Sequence, residues 1–247
     1  MAQGLELFRE RFAKHHKSYV LIGGMACKIA DDDFRATKDL DIVLIAEELN
    51  EEFTTDLWAF IIEAGYQHLN KGTGEPQFYR FDKPISLDYP YMLELFSREP
   101  DLLTIPEGIT LTPIPLDDPV SSLSAILLDN DAYRFIREGQ TVLDGLSILP
   151  ATHIIPLKAQ AFIDFSQRKQ ESPDSVDSKQ IKKHRNDIFR LLSSLTGEER
   201  IALPKLLDET FAEFLTQMQQ AVIPKDILKP SGLNQAEAVS ILKTIYL

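Results

Sequence analysis

The chain has 247 residues, a net charge of −12, and 44% apolar and 26% charged residues. That composition belongs to a globular protein with enough length for a sizeable core. No apolar run approaches the roughly 18–20 residues of a membrane helix. Cys27 is the single cysteine, so no internal disulfide can form, as expected of a reducing cytoplasm. Five histidines beside one cysteine argue against a structural zinc centre, and the charges scattered through residues 1–17 argue against a secretory leader.

In chain order, Leu5, Phe8 and Phe12 predict a helix over Leu5–Lys17. The apolar run Tyr19–Ile22 predicts a first strand, Gly23-Gly24 a turn, and Met25–Ala30 a short helix. Asp31–Lys38 reads as a polar loop and Leu40–Ile45 as a second strand. Glu51–Ala64 reads as an amphipathic helix stopped by Gly65. Phe78–Phe81 and Met92–Phe96 are expected strands. Leu102–Leu116 holds short extended pieces, and Val120–Leu128 and Ala132–Gly139 carry weaker patterns. Leu143–Leu149 is expected to be extended.

From Pro150 the pattern becomes helical. Pro156–Arg168 is expected to be a helix with its proline in the first turn, followed by helices over Ser178–Leu195, Pro204–Ala221 and Leu233–Tyr246, the last capped by Asn234 with Glu237 at the capping-box position. The expected fold class is therefore α+β: a mixed twisted sheet with flanking helices over residues 1–149, then a helical domain over 150–247.

Charge divides along the same line. Residues 1–149 hold 13 Lys/Arg against 26 Asp/Glu, and residues 150–247 hold 13 against 12. An acidic protein binds nucleic acid poorly without a local basic face. Such a partner is best sought at Lys179, Lys182, Lys183, Arg185 and Arg190, although a solvated helix face explains that cluster equally well.

Three features point to chemistry. A strand that ends in Gly23-Gly24 and turns into a helix presents backbone N–H groups and a positive dipole end to an anion, although paired glycines more often mark a plain turn. Asp39 and Asp41, two apart on a strand, share one face while Leu40 and Ile42 occupy the other; two carboxylates so placed repel unless a cation lies between them. An isolated pair of this kind is usually a solvated strand edge. Glu94 lies in the apolar run Met92–Phe96, where a charge needs a cation, a hydrogen-bond partner or a pocket. It either pairs with a Lys or Arg or completes a three-carboxylate metal site with Asp39 and Asp41.

The order of these motifs resembles the DNA polymerase β-like nucleotidyltransferase superfamily. More narrowly, GGMACKIADDDFRATKDLDIVL resembles the AbiEii-type nucleotidyltransferases of abortive infection and toxin–antitoxin pairs. The matching positions are Gly23, Gly24 and Ala26, then Arg35, Thr37, Asp39 and Asp41, with Glu94 in the downstream strand. IIPLKAQAFIDFSQRK and KKHRNDIFRLL are similar to two later motifs, which gives Lys158 and Asp187. The acidic run Asp31–Asp33 departs from the pattern and is given no role.

The resemblance implies an Mg²⁺- or Mn²⁺-dependent transferase with a nucleoside triphosphate as substrate. Asp39, Asp41 and Glu94 would hold the metal. Gly23, Gly24, Arg35, Thr37, Lys38 and Lys158 would contact the nucleotide, and the helical domain would close over it. Asp187 would pair with Lys158, contact the nucleotide or act as a base. An RNA such as tRNA is the implied acceptor and a cognate antitoxin the implied partner. The alternatives are a small-molecule acceptor, as in antibiotic nucleotidyltransferases, and a non-catalytic nucleotide-binding protein. His15-His16 reads as a polar helix face with no metal role, Trp58 as core and Cys27 as packing.

Overall fold

The computed structural model describes residues 4–31, 34–35, 37–72, 77–99, 103–114, 123, 126–174 and 176–247. The expectations for Leu102–Leu116 and Val120–Leu128 fall partly outside these residues, as do Asp32 and Asp33. The chain divides into two compact units, residues 1–120 with 137–150, and residues 121–136 with 151–247.

The first unit is built on a mixed sheet. Its elements are α1 (Leu5–Phe12), β1 (Tyr19–Ile22), α2 (Gly23–Ala30), β2 (Asp39–Leu44), α3 (Glu51–Ala64), β3 (His68–Gly72), β4 (Gln77–Asp82), β5 (Met92–Ser97) and β6 (Thr112–Ile114). After α4 (Asn130–Gly139), the hairpin β7 (Thr141–Leu143) and β8 (Leu146–Ile148) completes it. The strand order is β6-β3-β4-β5-β2-β1-β8-β7. The β1–β8, β2–β5 and β3–β6 pairs are parallel and the others antiparallel. This is the expected α+β class.

Alternation decides which face is buried. In β2 and β5, Leu40, Ile42, Leu93 and Leu95 are fully buried, while Asp39, Asp41, Met92 and Glu94 keep partial exposure on the opposite face. Rings of α1 and α3 pack on β1: Phe8 and Phe12 stack at 4.4 Å, Phe12 meets Phe60 at 5.5 Å, and Phe53 stacks on Tyr19 at 6.5 Å. Asn50 caps α3 by accepting from the Phe53 N–H, and Gly65 ends it in the left-handed conformation with φ of 56°. Trp58 is core, as expected, against Phe81.

The second unit is helical in its long run, with α5 (Ala151–Glu171), α6 (Ser178–Leu191), α7 (Lys205–Met218), α8 (Lys225–Leu228) and α9 (Gln235–Tyr246). Phe162, Phe189, Phe211 and Phe214 form its aromatic core. Asn234 and Glu237 form the anticipated reciprocal cap of α9.

Two expectations are corrected. Pro156 lies inside α5, not in its first turn. A proline there removes the N–H that would serve the Thr152 carbonyl; the Tyr246 hydroxyl donates to that carbonyl instead, at 2.8 Å. His15 is not on a polar face. It sits in a short 3₁₀ turn after α1, 5% exposed, with its ring against Phe53 and Nε2 at 2.8 Å from Asp56 Oδ2.

Candidate active site

The site starts at a backbone position. β1 passes into α2 with no intervening loop, and the reversal falls on Gly23, whose φ is 66°. A side chain there would be strained by its backbone, and it would also collide with a neighbour. A Cβ on Gly23 would lie 1.8 Å from Asp41 Oδ2. The bare glycine thus lets the Asp41 carboxylate rest against the first residue of α2. No side chain caps this helix start, so its first N–H groups point out of the helix without intrahelical acceptors.

Gly24 brings in the loop that precedes β2. A Cβ at that position would lie 3.3 Å from Thr37 Oγ1 and 3.4 Å from an Arg35 guanidinium nitrogen. Lys38 is exposed, and its carbonyl accepts from the Tyr91 N–H at 3.1 Å, which ties the loop end to the start of β5. Cys27 is buried in α2 with its thiol donating to the Gly23 carbonyl at 3.0 Å.

The carboxylates meet through strand register. Asp41 lies opposite Glu94 across the parallel β2–β5 pair, and Asp39 lies opposite Met92. Glu94 in turn lies opposite Arg80 of β4, with Arg80 Nε at 2.8 Å and Nη2 at 2.7 Å from Glu94 Oε1. Side chains in register on one face of neighbouring strands are within reach of each other. The Glu94 side chain is 14% exposed. Burial, then the Asp41 carboxylate, push its carboxyl up to about 8 against the pull of Arg80.

Arg80 was not anticipated as a site residue. It lies in a run, Phe78–Phe81, where buried aromatics alternate with it, and it stacks at 5.1 Å on the Phe78 ring. A Glu in an apolar strand needs a cation, a hydrogen-bond partner or a pocket, and a lone Arg in another strand was the available signal.

Lys158 and Asp187 also come together, in the second unit. Lys158 of α5 places Nζ 3.0 Å from Asp187 Oδ2 of α6, and Arg190 approaches Oδ1 at 3.3 Å. Asp187 is fully buried and Lys158 is 6% exposed. The pairing of Asp187 with Lys158 was one of the arrangements considered.

Among the described residues, the trio whose potential ligand atoms all lie within 4.8 Å of one another is His15, Glu52 and Asp56, not the predicted Asp39, Asp41 and Glu94. The trio could hold a cation, and Lys14 already supplies one, with Nζ 2.6 Å from Glu52 and 2.9 Å from Asp56. The carboxylates of β2 and β5 fit a hard divalent ion by donor type. Their fit rests on one observation: Asp41 and Glu94 stand in register on the same face of adjacent parallel strands, with the Asp41 carboxylate against Gly23.

The fold and site together define an α+β protein with a carboxylate-bearing parallel strand pair beneath a glycine-led helix. No family model and no curated protein matches the chain. Two solved structures from Helicobacter pylori are similar. JHP933 is 12% identical, with 98% of this chain and 88% of that one covered and a TM-score of 0.35. A candidate nucleotidyltransferase is 11% identical, with 98% and 92% covered and a TM-score of 0.31. Scores this low carry no argument about activity. No helix among the described residues is long and apolar enough to cross a membrane.

Proposed function

We propose that the protein is a divalent-cation-dependent nucleotidyltransferase that moves a nucleoside monophosphate from a nucleoside triphosphate to an acceptor hydroxyl. One observation carries the reading: Asp41 and Glu94 stand side by side on adjacent parallel strands, with Asp41 lodged against the glycine that opens α2. Asp39, Asp41 and Glu94 would hold Mg²⁺ or Mn²⁺, which when bound supplies positive charge to the phosphates.

The remaining work falls to the chain. Backbone N–H groups at Gly23 and Gly24 donate to phosphate oxygens at the positive end of α2. Arg35 and Thr37, which lie beside Gly24, add side-chain donors, and Lys38 adds a point charge at the loop end. These groups position the α-phosphorus for in-line attack and stabilise charge as it shifts to the leaving group. The bond to the bridging oxygen breaks, pyrophosphate leaves, and the acceptor oxygen gains the phosphorus while its hydroxyl proton passes to solvent. The carboxylate site rests on the first unit alone.

The finer reading is a toxin-like enzyme of the AbiEii type with an RNA acceptor such as tRNA and a cognate antitoxin. The motif order from Gly23 to Asp187 supports it. The excess of acid over base in residues 1–149 favours a cationic small-molecule acceptor as a second reading. The Arg80–Glu94 pair favours a third, in which a nucleotide binds without turnover, because one carboxylate is already neutralised.

The test incubates the protein and Asp41→Asn with Mg²⁺, each labelled nucleoside triphosphate, and either total cellular RNA or a panel of cationic small molecules. Label transfer that depends on Asp41 is expected. Transfer with no nucleotide and to no acceptor would remove the enzymatic reading, and nucleotide bound but never consumed would favour the third.

A further inference from the structure

His15 takes no part in the transfer chemistry, yet it is buried with a ring nitrogen aimed at carboxylates. Its ring lies edge-on to Phe53 at 5.5 Å and tilted against Phe12 at 6.2 Å. That packing holds the imidazole in place and brings Nε2 to 2.8 Å from Asp56 Oδ2. Helix α3 supplies two oxygen donors, because Glu52 and Asp56 stand four residues apart and so share one face. One potential ligand atom from each of His15, Glu52 and Asp56 lies within 4.8 Å of the other two. Around a tetrahedral Zn²⁺ with bonds of about 2.1 Å, ligand atoms stand about 3.4 Å apart. Small rotations of the two carboxylates therefore close the set. An open hollow of about 600 Å³, lined by Asn50, Glu51, Glu52, Thr55 and Asp56, adjoins them. It admits the water that completes a three-ligand site.

A solvated helix face does not account for this arrangement, because its nitrogen donor is 5% exposed and fixed by aromatic rings. An ion-pair cluster accounts for part of it. Lys14 reaches Glu52 at 2.6 Å and Asp56 at 2.9 Å, but the Lys14 side chain is 54% exposed and that of Glu52 67%. Pairs so exposed contribute little, and the ammonium exchanges readily with solvent. Asp56 is held below the usual carboxylate range by its hydrogen bond with His15 and then by Lys14, which keeps it an ionised donor. A divalent ion brings two charges where Lys14 brings one, and it also bonds the imidazole nitrogen directly.

We infer that His15, Glu52 and Asp56 form a binding site for a transition ion of the Zn²⁺ class, which displaces Lys14 and ties the turn after α1 to α3. The donor set selects the ion: one imidazole nitrogen with two carboxylate oxygens suits Zn²⁺, whereas Mg²⁺ prefers oxygen ligands and keeps its waters. The site shares no residue with Asp39, Asp41 and Glu94, and it stands whether or not the chain transfers nucleotides.

The experiment titrates Zn²⁺ and Mg²⁺ by calorimetry into metal-free, full-length Asp41→Asn protein, in which the strand carboxylates are weakened and transfer is absent. One Zn²⁺ should bind per chain, with Mg²⁺ at least about 100-fold weaker. Adding Glu52→Gln or Asp56→Asn should weaken Zn²⁺ by at least about tenfold. Adding Lys14→Gln should tighten it severalfold, a result that a purely structural ion-pair cluster does not give. Zn²⁺ should also raise Tm, and Asp56→Asn should abolish that rise. These three side chains are exposed or half-buried, and circular dichroism checks that each variant is folded. Absence of Zn²⁺ binding, equal affinity for Mg²⁺, binding that survives Asp56→Asn, or unchanged or weaker binding after Lys14→Gln would overturn the inference.

Discussion

The molecule contains two ionic clusters of similar size and opposite logic. In the second unit, Lys158, Asp187 and Arg190 put two cations on one fully buried carboxylate. In the first, Asp41 and Glu94 put two carboxyls side by side, with Arg80 on Glu94, whose proton is held unusually tightly. Burial alone does not separate them. What does is composition: the first cluster sets two carboxyls side by side, the donor type of a hard divalent ion, and the second sets two cations on one carboxyl. A buried pair with its charge satisfied is the expected form of a structural contact.

The comparison can be broken or sharpened in four ways. The largest effect is expected from Asp41→Asn, which should lower nucleotide transfer by at least about 10²-fold, because an anionic ligand for the divalent ion that stabilises the phosphate charge is lost; circular dichroism should be unchanged. Next, Lys158→Met should destabilise the protein by about 3–5 kcal/mol by leaving a buried Asp187 short of its partner. The double variant Lys158→Met, Asp187→Leu should recover much of that loss in denaturant titrations. A Lys158→Met protein of normal stability that fails to bind nucleotide would move this cluster from structure to function.

A smaller effect is expected from Arg80→Met. Removing the cation that now satisfies Glu94 should raise Mn²⁺ affinity severalfold, measured by calorimetry. Unchanged or weaker binding would mean that Arg80 only holds β4 to β5. The smallest effect concerns pH. The native Glu94 carboxyl keeps its proton up to about 8, against an ordinary value of 4.5, so the folded state binds more protons than the unfolded one between those values. Its contribution to stability is complete below 4.5 and lost as pH rises through about 8. Metal-free protein should therefore show a lower Tm at pH 9 than at pH 6, and Glu94→Gln should flatten that difference.

Much of the scaffold was legible where local pattern and tertiary role agree. Tyr19–Ile22 is apolar throughout because β1 is buried on both faces, and α3 matches its expected span, with Asn50 and Gly65 as its stops. β3 was not read, because His68–Gly72 is polar and becomes a strand only through its partners β4 and β6. The β7–β8 hairpin carries a readable sign, Asp144-Gly145 between apolar residues, with φ of 51° and 77° at the turn, which the expectation of one extended piece over Leu143–Leu149 misses. In the site, the spacing of Asp39 and Asp41 told which face they share. Register across β2, β5 and β4 is not contained in any local segment, so Arg80 stayed hidden.

The hydroxyl that stands in for the missing amide of Pro156 links residues 94 positions apart, Thr152 near the start of α5 and Tyr246 in the last turn of α9. During synthesis the opening turns of α5 therefore leave the ribosome long before the group that completes their bonding. The Thr152 carbonyl goes without this partner until residue 246 has been made, so the bond closes late in the synthesis of the helical unit.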